Sequence, residues 1–267
     1  MRKSIVLGAA LGIVTACLAV TAPAGAGEAD RAVKRFDVTA TVSNAEPTQG
    51  GKVRIRGKVN PARPGLVVKL QRRYGTSGGW KTTDTDELNN RSRYKFVDEV
   101  NSVWFRQYRV VKPKSGNRKT GKSPKVGVTV YGWRKLTSLS PAASDAMREV
   151  DSVTMNAVDY PDSLRAWYGD EGSIDYNLNR GCKTIEGRYG IGDISETTAT
   201  GTVALEADSV SKYSNSFMLA QSQFARHDVR GVFRITIRWS SSNTDGTPED
   251  QSGAWVAVGT PRVLCSF

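Results

Sequence analysis

The stretch "KVRIRGKV", residues 52–59, decides how the first half of the chain folds. Val53, Ile55 and Val59 alternate with cationic side chains at the even-numbered positions. Successive side chains of a β-strand point to opposite faces of the sheet. This period of two therefore predicts a half-buried strand with one apolar and one cationic face.

Six further segments of the first half share this pattern and are separated by turn residues. They are "FDVTATVS" (36–43), "LVVKLQRRY" (66–74), "WKTTDT" (80–85), "RYKF" (93–96), "FRQYRVV" (105–111) and "KVGVTV" (125–130). About seven short strands at this spacing predict an antiparallel β-sandwich.

A glycine-rich segment between two of these strands, Gly75-Thr76-Ser77-Gly78-Gly79, formally matches the G-x-S-x-G turn of many hydrolases. That motif needs a buried parallel strand before it and a helix after it, and neither is present here. The only histidine, His227, lies far away in the other half of the chain. We therefore predict a hairpin connection here and no catalytic serine.

The second half is also predicted to be built from strands. Its clearest segments are "SIDYNLN" (173–179), "TIEGRYGIG" (184–192), "TVALEAD" (202–208), "VFRITIRW" (232–239) and "WVAVGTPRVLC" (255–265). The exception is "SPAASDAMREV" (140–150), which predicts one short helix capped by Ser140 with Pro141 in its first position. The predicted fold class is all-β: an immunoglobulin-like sandwich followed by a jelly-roll sandwich.

The distribution of charge predicts two domains. Residues 27–131 hold 23 Lys and Arg against 9 Asp and Glu, whereas residues 132–267 hold 13 against 17. So sharp a change favours separate basic (27–131) and acidic (132–267) domains, each large enough to bury a core.

The first 26 residues predict export. Arg2 and Lys3 precede an uncharged stretch, and Ala24-Gly25-Ala26 fits a signal-peptidase site. The stretch is too short for a membrane span, so we expect a secreted protein, for which the cell wall is one candidate location. The alternative is a lipid anchor on Cys17, which ends a "VTAC" box.

Two cysteines remain after such cleavage, Cys182 and Cys265, and an even count in an exported chain favours a disulfide. No zinc site is predicted, because His227 has no ligands at suitable spacing and suits a surface loop. The acidic "SSNTDGTPED" (241–250) fails the EF-hand register and predicts a hairpin tip. We therefore predict no cofactor, although a structural calcium ion elsewhere stays open.

The basic half resembles the immunoglobulin-like domains of secreted bacterial proteins. The resemblance rests on "GGKVRIRGKVNPARPGLVVKLQRR", the later Trp80, the "RYKF" strand and a closing "YRVV". It implies the sandwich fold and is nearly silent on function.

The acidic half is similar to the NPCBM-type carbohydrate-binding modules. The similarity is carried by "SLRAWYGDEGSIDYNLNRGCKTIEGRYGIGD", by "DVRGVFRITIRW" and by the final strand "GAWVAVGTPRVLC". It implies a galactose-binding-like sandwich that binds sugar without catalysis. The family's loop before the "I-x-Y-x-L" strand often carries a histidine, whereas this chain has "RAWY" there, and no ligand set transfers residue by residue.

The chemistry of that loop predicts a glycan site. Sugar rings stack on exposed aromatic rings, and their hydroxyls bond carboxylates and guanidinium groups. The segment 165–171 supplies both, through Arg165, Trp167, Tyr168, Asp170 and Glu171. The alternative is that Trp167 anchors the loop in the core, where Trp239 and Trp255 are also predicted to lie.

The basic half offers a second candidate surface. A cationic ridge is predicted from Lys52, Arg54, Arg56, Lys58, Arg93, Lys95 and Arg109. Such a field attracts anionic polymers such as wall teichoic acids, and the alternative is a solubilising surface with no ligand. No base-stacking aromatic residues accompany it, so no specific nucleic-acid partner is predicted.

These observations predict a secreted, non-enzymatic glycan-binding protein whose basic domain also holds polyanions. No pair of carboxylates stands out as catalytic. The alternative function is a structural or adhesive wall protein whose sandwiches bind other proteins. The oligomeric state is not predicted.

Overall fold

A computed structural model describes residues 34–242 and 253–267, which belong to one compact unit. The predicted signal peptide with Cys17 lies outside the described residues, and so does most of the acidic 241–250 segment. Among the described residues, no helix is long and apolar enough to cross a membrane.

The first nine strands, from residue 37 to residue 129, form two antiparallel sheets. They are β1 (Asp37–Val38), β2 (Thr41–Val42), β3 (Lys52–Asn60), β4 (Val67–Tyr74), β5 (Lys81–Glu87), β6 (Arg93–Glu99), β7 (Phe105–Lys112), β8 (Gly121–Lys122) and β9 (Val126–Thr129). In sheet 1, β3 pairs with β1 and β2 on one edge and with β6 on the other. Sheet 2 has the order β5-β4-β7-β8, and β9 also pairs with β7.

The remaining strands form two further antiparallel sheets. They are β10 (Gly132–Lys135), β11 (Ala143–Asp145), β12 (Met147–Met155), β13 (Val158–Ala166), β14 (Glu171–Asn177), β15 (Cys182–Ile191), β16 (Thr200–Ala207), β17 (Val210–Met218), β18 (Ser222–Asp228), β19 (Arg234–Ser242) and β20 (Val256–Cys265). Sheet 3 has the order β12-β13-β20-β15-β18, with β10 also on β20, and sheet 4 has the order β11-β14-β19-β16-β17.

Each pair of sheets encloses its own apolar core. Sheets 1 and 2 bury the alternating residues of their strands, among them Ile55, Leu70, Phe96 and Tyr108. The core of sheets 3 and 4 includes Leu164, Tyr176, Ile237 and Trp239. The all-β fold class of two antiparallel sandwiches is therefore confirmed, and Trp239 is a core residue as predicted.

The predicted helix at 140–150 is wrong. Residues 143–145 form β11, which pairs with β14 in sheet 4, and residues 147–155 form β12 in sheet 3. Between them Ala146 has a φ of 50°, and this one left-handed residue passes the chain from one sheet to the other. Pairing with β13 and burial of Met147 in the core outweigh the helix propensity of this segment.

Two other predictions agree with the structure. The Gly75–Gly79 segment joins β4 to β5, which pair antiparallel, so it is the expected hairpin connection. Gly75 has a φ of 65°, a left-handed turn conformation that glycine adopts without cost. Cys182 and Cys265 are joined by a disulfide and lie opposite each other on β15 and β20.

Candidate functional site

The predicted glycan segment lies where the chain crosses from sheet 3 to sheet 4. Arg165 is near the end of β13, residues 167–170 form the connection, and Glu171 begins β14. Two backbone hydrogen bonds hold this connection: Trp167 N donates to Ala146 O at 2.9 Å, and Ser241 N donates to Asp170 O at 2.7 Å. The loop is thus tied to the sandwich at both ends while its side chains remain outside.

Trp167 and Tyr168 are exposed aromatic residues. Their relative exposures are 43% and 51%, so neither ring is buried in the core. The alternative in which Trp167 anchors the loop in the core is therefore wrong. Asp170 and Glu171 are also exposed, and neither forms an ion pair within the described part of the chain.

Two arginines and a second tryptophan adjoin Trp167 on the outer face of sheet 3. The guanidinium carbon of Arg148 lies 3.0 Å from the centroid of the Trp167 ring. Arg165 lies directly opposite Arg148 in the pairing of β12 with β13. Its guanidinium carbon in turn lies 4.7 Å from the Trp255 ring centroid. We call these four residues, Trp167, Arg148, Arg165 and Trp255, the stacked cluster.

The sequence prediction missed two members of the stacked cluster. Arg148 was placed in a helix, and only the pairing of β12 with β13 brings it beside Arg165. Trp255 was expected in the core, but it is half-buried just before β20 and is covered by Arg165. Trp255 was predicted to be buried because it adjoins a run of apolar residues. Both faces of β20 carry buried side chains, so such a run does not show which of the two faces points to the core.

The structure brings six of the seven predicted polyanion residues onto one surface. Because the even-numbered residues of β3 and the odd-numbered residues of β6 point away from the core, they share the outer face of sheet 1. These six residues, the cationic face, are Lys52, Arg54, Arg56, Lys58, Arg93 and Lys95, and all are exposed. The prediction is wrong for Arg109. This residue lies on β7, in sheet 2, and its side chain is on the outer side of that sheet.

The surroundings of Arg109 differ from those of the cationic face. Its guanidinium carbon lies 4.1 Å from the Trp80 ring centroid, and that of Arg73 lies 4.9 Å from the same centroid. Its Nε donates to Gln71 Oε1 at 2.8 Å. Burial lowers the pKa of Arg109, and the nearby Arg73 charge lowers it further. Arg109 is thus packed on sheet 2 and is not part of the predicted ridge.

Like charges lie directly opposite each other within the cationic face. In the pairing of β3 with β6, Arg56 lies opposite Lys95 and Lys58 lies opposite Arg93. Beside them is a groove of about 610 Å³ that Arg56, Lys58, Arg93 and Lys95 line together with Asp86 and Glu87. None of the six cations forms an ion pair within residues 34–242 and 253–267.

His227 is not in a loop, contrary to the sequence prediction. It lies on β18, half-buried, with its ring centroid 5.2 Å from that of Tyr213 and 6.3 Å from that of Tyr189. Burial lowers its pKa. In the described part of the chain, no group of three or more His, Cys, Asp or Glu residues is placed to hold a metal ion.

No protein-family model matches this chain, and no curated protein matches it. Among solved structures, the chain is similar to CBM51-2 with INT domains of Clostridium perfringens ZmpB in complex with GlcNAc, at 10% identity and a TM-score of 0.40. That match covers 60% of this chain and 37% of the other.

Two further structures have comparable similarity. One is CBM51 from Clostridium perfringens GH95 in complex with methyl-galactose, at 10% identity and a TM-score of 0.39, covering 49% of this chain and 99% of that one. The other is the carbohydrate-binding module CBM36 in complex with calcium and xylotriose, at 13% identity and a TM-score of 0.28, covering 49% and 98%. At these identities and TM-scores the matches do not establish a family for this chain.

Proposed function

We propose that this protein is a secreted, non-catalytic glycan-binding protein whose sugar site is the loop between β13 and β14. The observation that carries the proposal is the exposure of two consecutive aromatic rings, Trp167 and Tyr168, on a loop that backbone hydrogen bonds hold in place. A ring held in this way loses little conformational freedom when a ligand binds, so its contact area is used efficiently.

The neighbouring polar groups suit the rest of a sugar. Asp170 and Glu171 supply acceptors for hydroxyl groups, and Arg148 and Arg165 supply donors. One face of the Trp167 ring is covered by Arg148. The Trp167 residue is 43% exposed overall, and in this proposal its other face takes the apolar side of a pyranose ring, in the way that aromatic rings stack on flat apolar surfaces.

A glycan array with the purified protein tests this proposal. The key variant is Trp167→Ala, and the matched control is Trp104→Ala, which removes a tryptophan that is 64% exposed in the first sandwich. We expect binding to be lost in Trp167→Ala and kept in the control. Because the ring is partly exposed, its removal should cost less than the about 3–5 kcal/mol typical of a buried tryptophan.

The array also separates the two classes of function. If the wild-type protein binds no glycan on the array and specifically captures a protein partner, the result would favour an adhesive wall protein over a glycan-binding one. A Trp167→Ala variant that unfolds at much lower temperature than wild type would show that the ring has a structural role.

A second activity is proposed for the first sandwich, where the cationic face would hold anionic wall polymers. The supporting observation is that Arg56 and Lys95, and likewise Lys58 and Arg93, are paired like charges with no ion-pair partner in the described residues. Retention on purified cell walls should fall steeply from low to physiological salt, where screening limits exposed charges to about 8 Å. Retention that salt does not change would contradict binding by charge.

A further inference from the structure

The stacked cluster contains two positive charges that nothing in the described part of the chain neutralises. Arg148 and Arg165 are directly opposite each other in the pairing of β12 with β13. Like charges in such a position repel, which makes the arrangement unfavourable for the sheet alone. Neither arginine forms an ion pair within residues 34–242 and 253–267.

The environment of Arg165 makes its unpaired positive charge still less favourable. Its Nε is buried and has no hydrogen-bond partner among the residues that the structure describes. Burial lowers the pKa of Arg165, and the Arg148 charge lowers it further. A buried donor without a partner is costly, so an acceptor brought to this place by a ligand would stabilise the site.

The same sheet contains a second pair of arginines that shows what such an acceptor does. Glu186 lies on β15 between Arg226 on β18 and Arg262 on β20. Its carboxylate accepts hydrogen bonds from the two Nε atoms at 2.6 Å each. Both guanidinium groups also lie near the Trp133 ring, at 5.9 and 4.5 Å from its centroid. Two arginines beside an indole ring are thus joined there by a carboxylate, whereas Arg148 and Arg165 lack one.

We infer that the stacked cluster binds an acidic oligosaccharide, with the carboxylate of a uronic acid residue held by Arg148 and Arg165 and a neighbouring sugar ring of the same chain against the other face of Trp167. The inference rests on the proposed glycan-binding function and specifies the class of sugar. A guanidinium group that stacks by its face keeps its N–H edges free, and these edges match the plane of a carboxylate. The guanidinium carbons of Arg148 and Arg165 lie over the rings of Trp167 and Trp255, at 3.0 and 4.7 Å from their centroids.

Calorimetric titration of the purified protein at physiological salt tests the inference. The probes are galacturonate, glucuronate and mannuronate trisaccharides, each paired with its carboxyl-reduced, neutral counterpart. We expect at least one acidic trisaccharide to bind more than tenfold tighter than its neutral counterpart.

Variants locate the preference. Arg148→Gln and Arg165→Gln should each reduce affinity for the acidic trisaccharide by about 10- to 100-fold, the range expected for charged hydrogen bonds. Affinity for the neutral counterpart should change little. Arg148→Lys keeps the positive charge but loses the planar guanidinium group. Its affinity for the acidic trisaccharide should lie between those of wild type and Arg148→Gln. The matched control is Arg180→Gln, which removes an arginine near the Phe233 ring at the other end of β14.

The outcomes distinguish this inference from the function on which it rests. Equal affinity for acidic and neutral trisaccharides would overturn the acidic-sugar inference and leave glycan binding in place. An acidic preference that survives in Arg148→Gln and Arg165→Gln would overturn the assignment to the stacked cluster. No binding to any trisaccharide would overturn the inference, and silence on the glycan array as well would contradict the proposed function itself.

Discussion

Arg56 and Lys95 lie directly opposite each other on β3 and β6, with both side chains on the exposed face of sheet 1. Opposed like charges in an antiparallel pair are destabilising, and opposed unlike charges are stabilising. The two like pairs, Arg56 with Lys95 and Lys58 with Arg93, are therefore expected to cost the first sandwich some stability, whereas Lys52 lies opposite Glu99 in the same pairing.

The variant Arg56→Glu should consequently be more stable than wild type while binding less anionic polymer. An unlike pair with Lys95 is expected to raise the free energy of unfolding by about 0.2–1 kcal/mol. Urea unfolding measures the first effect, and retention on purified cell walls measures the second. A variant that loses stability and keeps its retention would contradict a functional role for the pair.

Glu186 of sheet 3 provides the opposite case to the unpaired like charges of sheet 1, because it is a buried carboxylate that joins two arginines. It is 2% exposed, and its partners Arg226 and Arg262 are about half exposed. Glu186→Gln should lower the free energy of unfolding by about 2–3 kcal/mol, since two charge-assisted hydrogen bonds are weakened and two arginines are left side by side.

The matched control for Glu186 is Glu206→Gln. Glu206 pairs with Arg238 at 3.0 Å nearer the surface, where exposed ion pairs contribute less than about 1 kcal/mol. Chemical denaturation of both variants measures the difference. Equal losses in the two would show that burial of Glu186 does not determine its contribution.

Strands with one buried and one exposed face were predictable from sequence. In β3 and β14 the buried residues alternate as the period of two requires, and both strands were found close to their observed bounds. β12 alternates only at its end, where Val153 and Met155 are buried. Between Met147 and Val153, exposed pairs flank the half-buried Val150, so the start of this strand has the spacing of a helix. The break between β11 and β12 is a single left-handed residue, Ala146, and an alanine in the sequence does not indicate a left-handed backbone conformation.

The candidate site was predictable only in part for a related reason. The exposed rings of Trp167 and Tyr168 and the nearby carboxylates lie within one short segment, so their chemistry is visible along the chain. Arg148 lies on β12 and Trp255 just before β20. They reach Trp167 and Arg165 only through the registers of β12 and β20 with β13. Those registers depend on how the strands pack against each other, and the local sequence of one strand does not specify this.

Removal of the disulfide should strongly destabilise the second sandwich. Cys182 and Cys265 are 83 residues apart in sequence, and closing a loop of that length lowers the entropy of the unfolded chain by an equivalent of about 4–5 kcal/mol. The double variant Cys182→Ala and Cys265→Ala should lose stability of this order in urea unfolding. Reductant should destabilise wild type and leave the double variant unaffected, and an equal response of both would contradict the bridge.

His227 should make stability depend on pH in a defined range. It is the only histidine of the chain, and burial lowers its pKa in the folded protein below the value of about 6.5 expected when unfolded. Well above pH 6.5 the imidazole is neutral in both states and contributes no pH dependence. As the pH falls below 6.5, the unfolded chain takes up a proton that the folded chain resists, so stability declines toward the folded pKa.

The variant His227→Phe isolates this effect. Within residues 34–242 and 253–267 the buried Nε2 of His227 has no hydrogen-bond partner, so a phenyl ring beside Tyr189 and Tyr213 loses no bond there. Urea unfolding of both proteins at pH 7.5 and 5.5 measures the change, and the shared titration of the carboxylates cancels in the comparison. Wild type should lose more stability than His227→Phe on going to pH 5.5. An equal loss in the two proteins would mean that His227 takes up its proton as readily in the folded state as in the unfolded one.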